Sequence, residues 1–201
     1  MPRPHIDSRH ALYERHLLGH LERFFDGHTV EVAPVAHPII NRVSPDFAVA
    51  TALPGPRTSC RFYMSVGAGL LRETDPLLEF AILSREPSAR HRLLLAMVAY
   101  YHHTEGLGVD HTFPIGEPWL PGSTLTHLIV SRPYPFGPQF ENVAGDVRAR
   151  LLWLLPITEA ERKLKVREGA EALEQRFDRV GLEYWNPFRE CVATDSGSEV
   201  H

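Results

Sequence analysis

The chain has 201 residues, 43% of them hydrophobic, with 21 basic and 25 acidic side chains and a formal net charge of −4. That is enough apolar material for one sizeable core, and too little positive charge for a general nucleic-acid binder, which needs a basic face to displace counterions from phosphates. Two cysteines, Cys60 and Cys191, are too few for a disulfide framework, and no run approaches the roughly 20 apolar residues of a membrane span, so the expected setting is a reducing cytoplasm.

The start, MPRPHIDSRHALYERH, carries charges throughout and has no apolar stretch of signal-peptide length. Leu12, Leu17, Leu21, Phe24 and Phe25 then recur near helical spacing. Asp7 or Ser8 is placed to cap that helix and Gly27 to end it. His16 and His20 form an i, i+4 pair on this helix, the spacing two metal ligands would need, but no third ligand follows at motif distance. Short β-type runs come next: TVEVAPVAH broken by Pro34, DFAVATAL ended by the turn PGP, CRFYMSVG, and LLEFAILS. The third alternates Cys60, Phe62, Met64 and Val66 against Arg61, Tyr63 and Ser65, which predicts a strand with one face buried.

PSARHRLLLAMVAYYHHTEG predicts a deeply packed helix that ends at Gly106. His102 and His103 fall in its last turn, where imidazoles can satisfy orphan carbonyls. A loop rich in Gly and Pro leads to the strand STLTHLIVSRPY. RARLLWLLPIT reads as a strand buried on both faces, and Thr158 to Glu161 is a T-x-x-E capping box opening a helix to about Val180. Gly169 is that helix's weak point, roughly 1 kcal/mol worse than alanine. Residues 191–201 read as a flexible tail after one domain spanning 1–190. The fold class expected is α/β of the α+β type, a mixed sheet sandwiched by helices. Strict β-α-β alternation is missing, as are G-x-G-x-x-G and Walker loops.

The densest chemistry lies between His102 and His111. A metal site drawn from His102, His103, Asp110 and His111, with Glu105 nearby, would support a metal-dependent hydrolase as the alternative function. Adjacent helical residues point about 100° apart, so His102 and His103 do not readily share an ion. The favoured reading is a helix end tied to a loop by polar contacts. A Ser123–His127–Asp110 triad can be drawn on paper, but Ser123 lacks the G-x-S-x-G elbow.

The segments GEPWLPGSTLTHLIVSRPYPFGPQFE, LLWLLPITEAERKLKVREGAEALEQRF and NPFRECV, with YYHH upstream, resemble the suppressor of fused domain in its bacterial, single-domain form; residues 95–190 carry the resemblance. The resemblance implies an α/β sandwich and a protein-binding, non-enzymatic role. Animal members are adaptors that bind a transcription-factor peptide, and many bacterial members are thought to be immunity proteins. Trp153, Pro156, Thr158 and Glu161 match the family passage, and each has a structural explanation: core, strand end and capping box. The expected function is an immunity protein or adaptor that neutralises or sequesters a partner protein, a toxin or secreted effector among the candidates. No cofactor, membrane or direct nucleic-acid partner is expected. A strand-like ligand could add to a free sheet edge. The acidic net charge would favour a basic partner. Trp119, Arg132, Tyr134, Phe136, Tyr184 and Trp185 lie in or beside Pro- and Gly-rich loops and form the candidate partner-binding set, since interfaces concentrate Trp, Tyr and Arg.

Overall fold

A computed structural model describes residues 8–145 and 148–193; Asp7 and residues 194–201 of the expected tail lie outside them. Helix α1 spans Ser8–Phe24 and buries Tyr13, Leu17 and Leu21, one per turn. Strand β1 (Val30–Pro34) follows, then the one-turn helix α2 (Ile40–Val43), β2 (Ala48–Ala52), β3 (Arg61–Val66) and β4 (Leu77–Ser84). Helix α3 (Ala89–Glu105) is capped by the Ser88 side chain, which accepts the Arg90 N–H, and ends at Gly106 with φ 77°. Next come β5 (Thr112–Pro114), β6 (His127–Ser131), the one-turn helix α4 (Pro138–Glu141), β7 (Asn142–Val143), β8 (Ala149–Ile157), α5 (Glu159–Glu168) and α6 (Ala170–Val180).

The strands form one mixed eight-stranded sheet in the order β1-β2-β3-β4-β8-β6-β5, with β7 paired to β8. Neighbours β1 to β4 are antiparallel, as short connections require, whereas β4 and β8 run parallel, Leu77 opposite Ala149, across the long crossover that includes α3. The chain divides into two compact units: Met1–Leu107 with Arg132–Trp153, and Gly108–Ser131 with Leu154–His201.

In the first unit Phe25, Phe62 and Phe140 are fully buried, with ring centroids 5.1 to 5.6 Å apart. Each such ring contributes about 1.5–3 kcal/mol by leaving water. In the second, Ile129, Ile157, Leu164, Leu173 and Phe177 form the core, and Val192 and Ala193 pack against it.

Three sequence expectations are corrected. Tyr63 and Ser65 of β3 are buried along with Phe62, Met64 and Val66, so both faces of that strand are covered. The helix expected to run to Val180 breaks in two at Gly169, whose φ of 94° only glycine adopts easily. Pro156 does not end β8, which continues to Ile157.

Candidate functional site

The six residues of the candidate surface divide between the units: Arg132, Tyr134, Phe136 in the first, Trp119, Tyr184, Trp185 in the second. In the first unit Pro133, Pro135 and Gly137 shape a 3-10 turn over Tyr134–Phe136, closed by the Gly137 N–H on the carbonyls of Pro133 (3.1 Å) and Tyr134 (3.2 Å). Phe136 anchors it, half-buried against Phe24, Phe25, Phe62 and Phe140 and stacked on buried Trp153 at 6.1 Å. The anchor leaves Tyr134 standing 61% exposed beside the exposed Arg132. Arg57 lies 4.2 Å above the Phe24 ring on this unit, a cation–π contact the sequence did not reveal.

In the second unit one expectation fails: Trp119 is fully buried, and its loop ties the Trp119 backbone N–H to the Leu125 carbonyl at 2.8 Å. It cannot meet a partner in this conformation. Tyr184 and Trp185 are half-buried and meet edge-on at 4.7 Å. The residue the sequence reading passed over is Phe188, 66% exposed. The one available signal was its place between a proline and two charged residues, where a core ring is out of place.

The chain just after Phe188 is held by the pair that makes Thr158 and Glu161 more than a cap. The capping box is present: Glu161 N–H to Thr158 Oγ1 at 3.1 Å, Thr158 N–H to Glu161 Oε2 at 2.8 Å. The same buried carboxylate accepts hydrogen bonds from both terminal nitrogens, Nη1 and Nη2, of buried Arg189 at 2.7 Å and from the Val192 N–H at 3.0 Å. Arg189 also donates to the Pro156 carbonyl at 2.9 Å and lies 5.4 Å from the centre of the Phe177 ring. Thus 191–193, read from the sequence as the start of a tail, include a hydrogen-bonded anchor in Val192.

Two histidines of the 102–111 segment bond within the chain. His102 is buried, and its Nδ1 accepts the Leu107 N–H at 3.0 Å; burial pushes its pKa down to about 4, so the ring is neutral. His103 Nδ1 bonds the Leu71 carbonyl at 2.8 Å. Asp110 takes a left-handed φ of 69°, and its N–H binds the Val130 carbonyl, while the His111 carbonyl accepts the Val130 N–H. Among the described residues no group of three or more His, Cys, Asp or Glu side chains is placed to hold a metal ion. His20 bonds the Phe140 carbonyl at 2.9 Å, engaging one half of the His16–His20 pair. The paper triad is likewise not assembled: Ser123 Oγ donates to the Pro187 carbonyl (2.6 Å), and His127 Nε2 faces Glu159 at 3.0 Å.

One buried carboxylate went unread. Glu79, in the apolar strand β4, receives the Tyr13 and Ser65 hydroxyls and the N–H groups of Gly67, Ala68 and Gly69. It pins α1 and the turn after β3 to the sheet. Burial pushes its carboxyl up to about 7, against the pull of these donors.

The sheet edges are blunted. In β1 the hydrogen bonds Leu53 N–H to Thr29 O and Val35 N–H to Phe47 O turn the odd-numbered residues inward, so Val30, Val32 and Pro34 face the open edge. In β5 the bonds of Ile115 and His111 place Thr112 and Pro114 outward. Each edge therefore carries a proline where a donor is needed, a common defence against strand addition.

Comparison with known proteins bears on what these surfaces serve. Residues 45–190 match the family model described as suppressor of fused protein, a longer stretch than the motifs alone suggested. A suppressor of fused homolog from Neisseria gonorrhoeae is 31% identical, with a TM-score of 0.80 over 90% of this chain and 97% of that one. A chain of the Sufu–Fu complex shares the fold at 14% identity, with a TM-score of 0.64 over 90% of this chain and 92% of that one. Drosophila Suppressor of Fused does so at 13% and 0.51, over 88% of this chain and 50% of that one. No curated protein sequence matches. No described helix is long and apolar enough to cross a membrane. A family model spanning most of the chain and a structural relative at this identity and coverage place the protein in the suppressor of fused family.

Proposed function

We propose that this chain is a non-enzymatic, cytoplasmic protein-binding domain, an immunity protein or adaptor that neutralises or sequesters a partner protein, with a toxin or secreted effector as the leading kind of partner. The observation that carries the reading is family membership over residues 45–190, since a structure with the same fold is that of a complex, Sufu with Fu. The surface chemistry supports it. Tyr134 and Phe188 are large rings held out of the core on hydrogen-bonded turns, an arrangement that costs solvation in the free protein and favours contact with another surface. The mechanism is occlusion: the domain covers a partner's active or docking surface. In the 102–111 segment His102 and His103 bond the Leu107 N–H and the Leu71 carbonyl within the chain.

The test is crosslinking in the source cell followed by affinity capture and reconstitution from purified components. A protein that forms a saturable, stoichiometric complex with the chain is the expected result. A chain that captures no protein, or that turns over a small molecule at stoichiometric metal loading, refutes the reading.

A further inference from the structure

The turn 183–190 and the loop 116–124 of the second unit touch each other. Ser123 Oγ donates to the Pro187 carbonyl at 2.6 Å, and Phe188 lies across Gly122, its Cε1 3.5 Å from where a Cβ on that glycine would stand. The turn is fixed internally as well. Asn186 donates to Glu183 Oε2 at 2.9 Å and accepts the Phe188 N–H at 2.9 Å. The Phe188 ring is therefore presented to solvent by a backbone with little freedom to withdraw it, beside the half-buried Tyr184 and Trp185. Exposing such a ring forfeits burial that a phenylalanine ordinarily gains on folding, about 1.5–3 kcal/mol.

The exposed charges of these two stretches have one sign. The two stretches carry Glu117, Glu183 and Glu190, all exposed, and a single cation, Arg189. Arg189 is buried and directs both terminal nitrogens, Nη1 and Nη2, to Glu161, so it does not offset the exposed carboxylates. Aromatic faces bordered by carboxylates attract guanidinium and ammonium groups twice over, through the ring quadrupole and through ion pairing. An anionic or purely apolar partner meets repulsion or unpaired charge at the same place.

From this geometry we infer that the face centred on Phe188 binds an extended, arginine- or lysine-bearing segment of the partner protein, whose apolar side chains pack on Phe188 while its cations meet Glu183 and Glu190. The inference rests on the protein-binding reading above and specifies where, and with what chemistry, that binding occurs.

The test uses the full chain and two fluorescently labelled synthetic peptides of equal length, one alternating arginine with leucine and one alternating glutamate with leucine, read by anisotropy. The arginine peptide is expected to bind, more weakly as salt rises, and to lose about tenfold or more in affinity with Phe188→Ser. The double variant Glu183→Lys, Glu190→Lys is expected to prefer the glutamate peptide. All three positions are exposed, and circular dichroism melts verify that the variants stay folded. Equal binding of the two peptides, or a preference that neither variant moves, overturns the inference. So does sedimentation showing that Phe188→Ser alters only self-association of the chain. A crosslinked partner held equally by wild type and Phe188→Ser removes this face while leaving the protein-binding reading intact; no partner and no peptide preference removes both.

Discussion

Neutralising Glu161 should be among the most damaging single changes available in the second unit. Its carboxylate is fully buried and receives four donors: Thr158 N–H, Val192 N–H and the two terminal nitrogens, Nη1 and Nη2, of Arg189. Glu161→Gln leaves a buried, uncompensated arginine and turns an amide NH2 toward donors. Breaking a buried pair on one side costs about 3–5 kcal/mol. Thr158→Ala removes only the hydroxyl cap and should cost about 1 kcal/mol. The double variant Glu161→Leu, Arg189→Leu removes both charges, and should cost less than either single leucine change, because no unpaired charge remains. Urea unfolding followed by circular dichroism and by tryptophan fluorescence measures all of these. If Glu161→Gln costs no more than Thr158→Ala, the carboxylate is merely a helix cap and the Arg189 anchor contributes nothing.

Two further predictions concern the first unit. Glu79 has an ordinary carboxyl pKa of 4.5 and a native one of about 7, so the folded state holds its proton more tightly and the group's contribution falls as pH rises from 4.5 through 7, by up to ~3 kcal/mol. His91 and His102 work the other way, because burial pushes both to about 4 and stability is lost as pH falls below 6.5. The informative quantity is therefore the difference between wild type and Glu79→Gln: denaturation midpoints that narrow with rising pH bear the account out, and a constant gap refutes it. Phe136→Ala should cost about 3 kcal/mol by emptying the ring cluster, whereas Tyr134→Ala, four-sixths of a turn away but exposed, should stay within ~0.5 kcal/mol. Equal losses at the two positions would mean that Tyr134 is packed in solution.

Elements whose signal is local were readable from the sequence. The T-x-x-E box, the strand LLWLLPI and the glycine at the end of α3 each act within a few residues, and each is found where expected. Gly169 was recognised as a weak point but read as a cost within one helix; only its φ of 94° shows that the chain breaks there. The site was less legible because exposure is a tertiary property. Trp119 and Phe188 each directly follow a proline, yet one loop closes over its ring and the other presents it. Glu79 was legible in principle, as a lone carboxylate in an apolar strand that burial obliges to find donors, but those donors come from α1, β3 and the turn after it, far apart in sequence. Arg189 is similar: its partner Glu161 lies 28 positions earlier.

The central claim is that the chain acts by covering another protein. It is tested most directly by adding purified chain to its purified crosslinked partner and following the partner's own activity or ligand binding. The account predicts a stoichiometric fall that saturates at a fixed ratio and needs no metal or small-molecule substrate. A partner left fully active at saturating chain, or itself chemically altered by sub-stoichiometric chain, would contradict it.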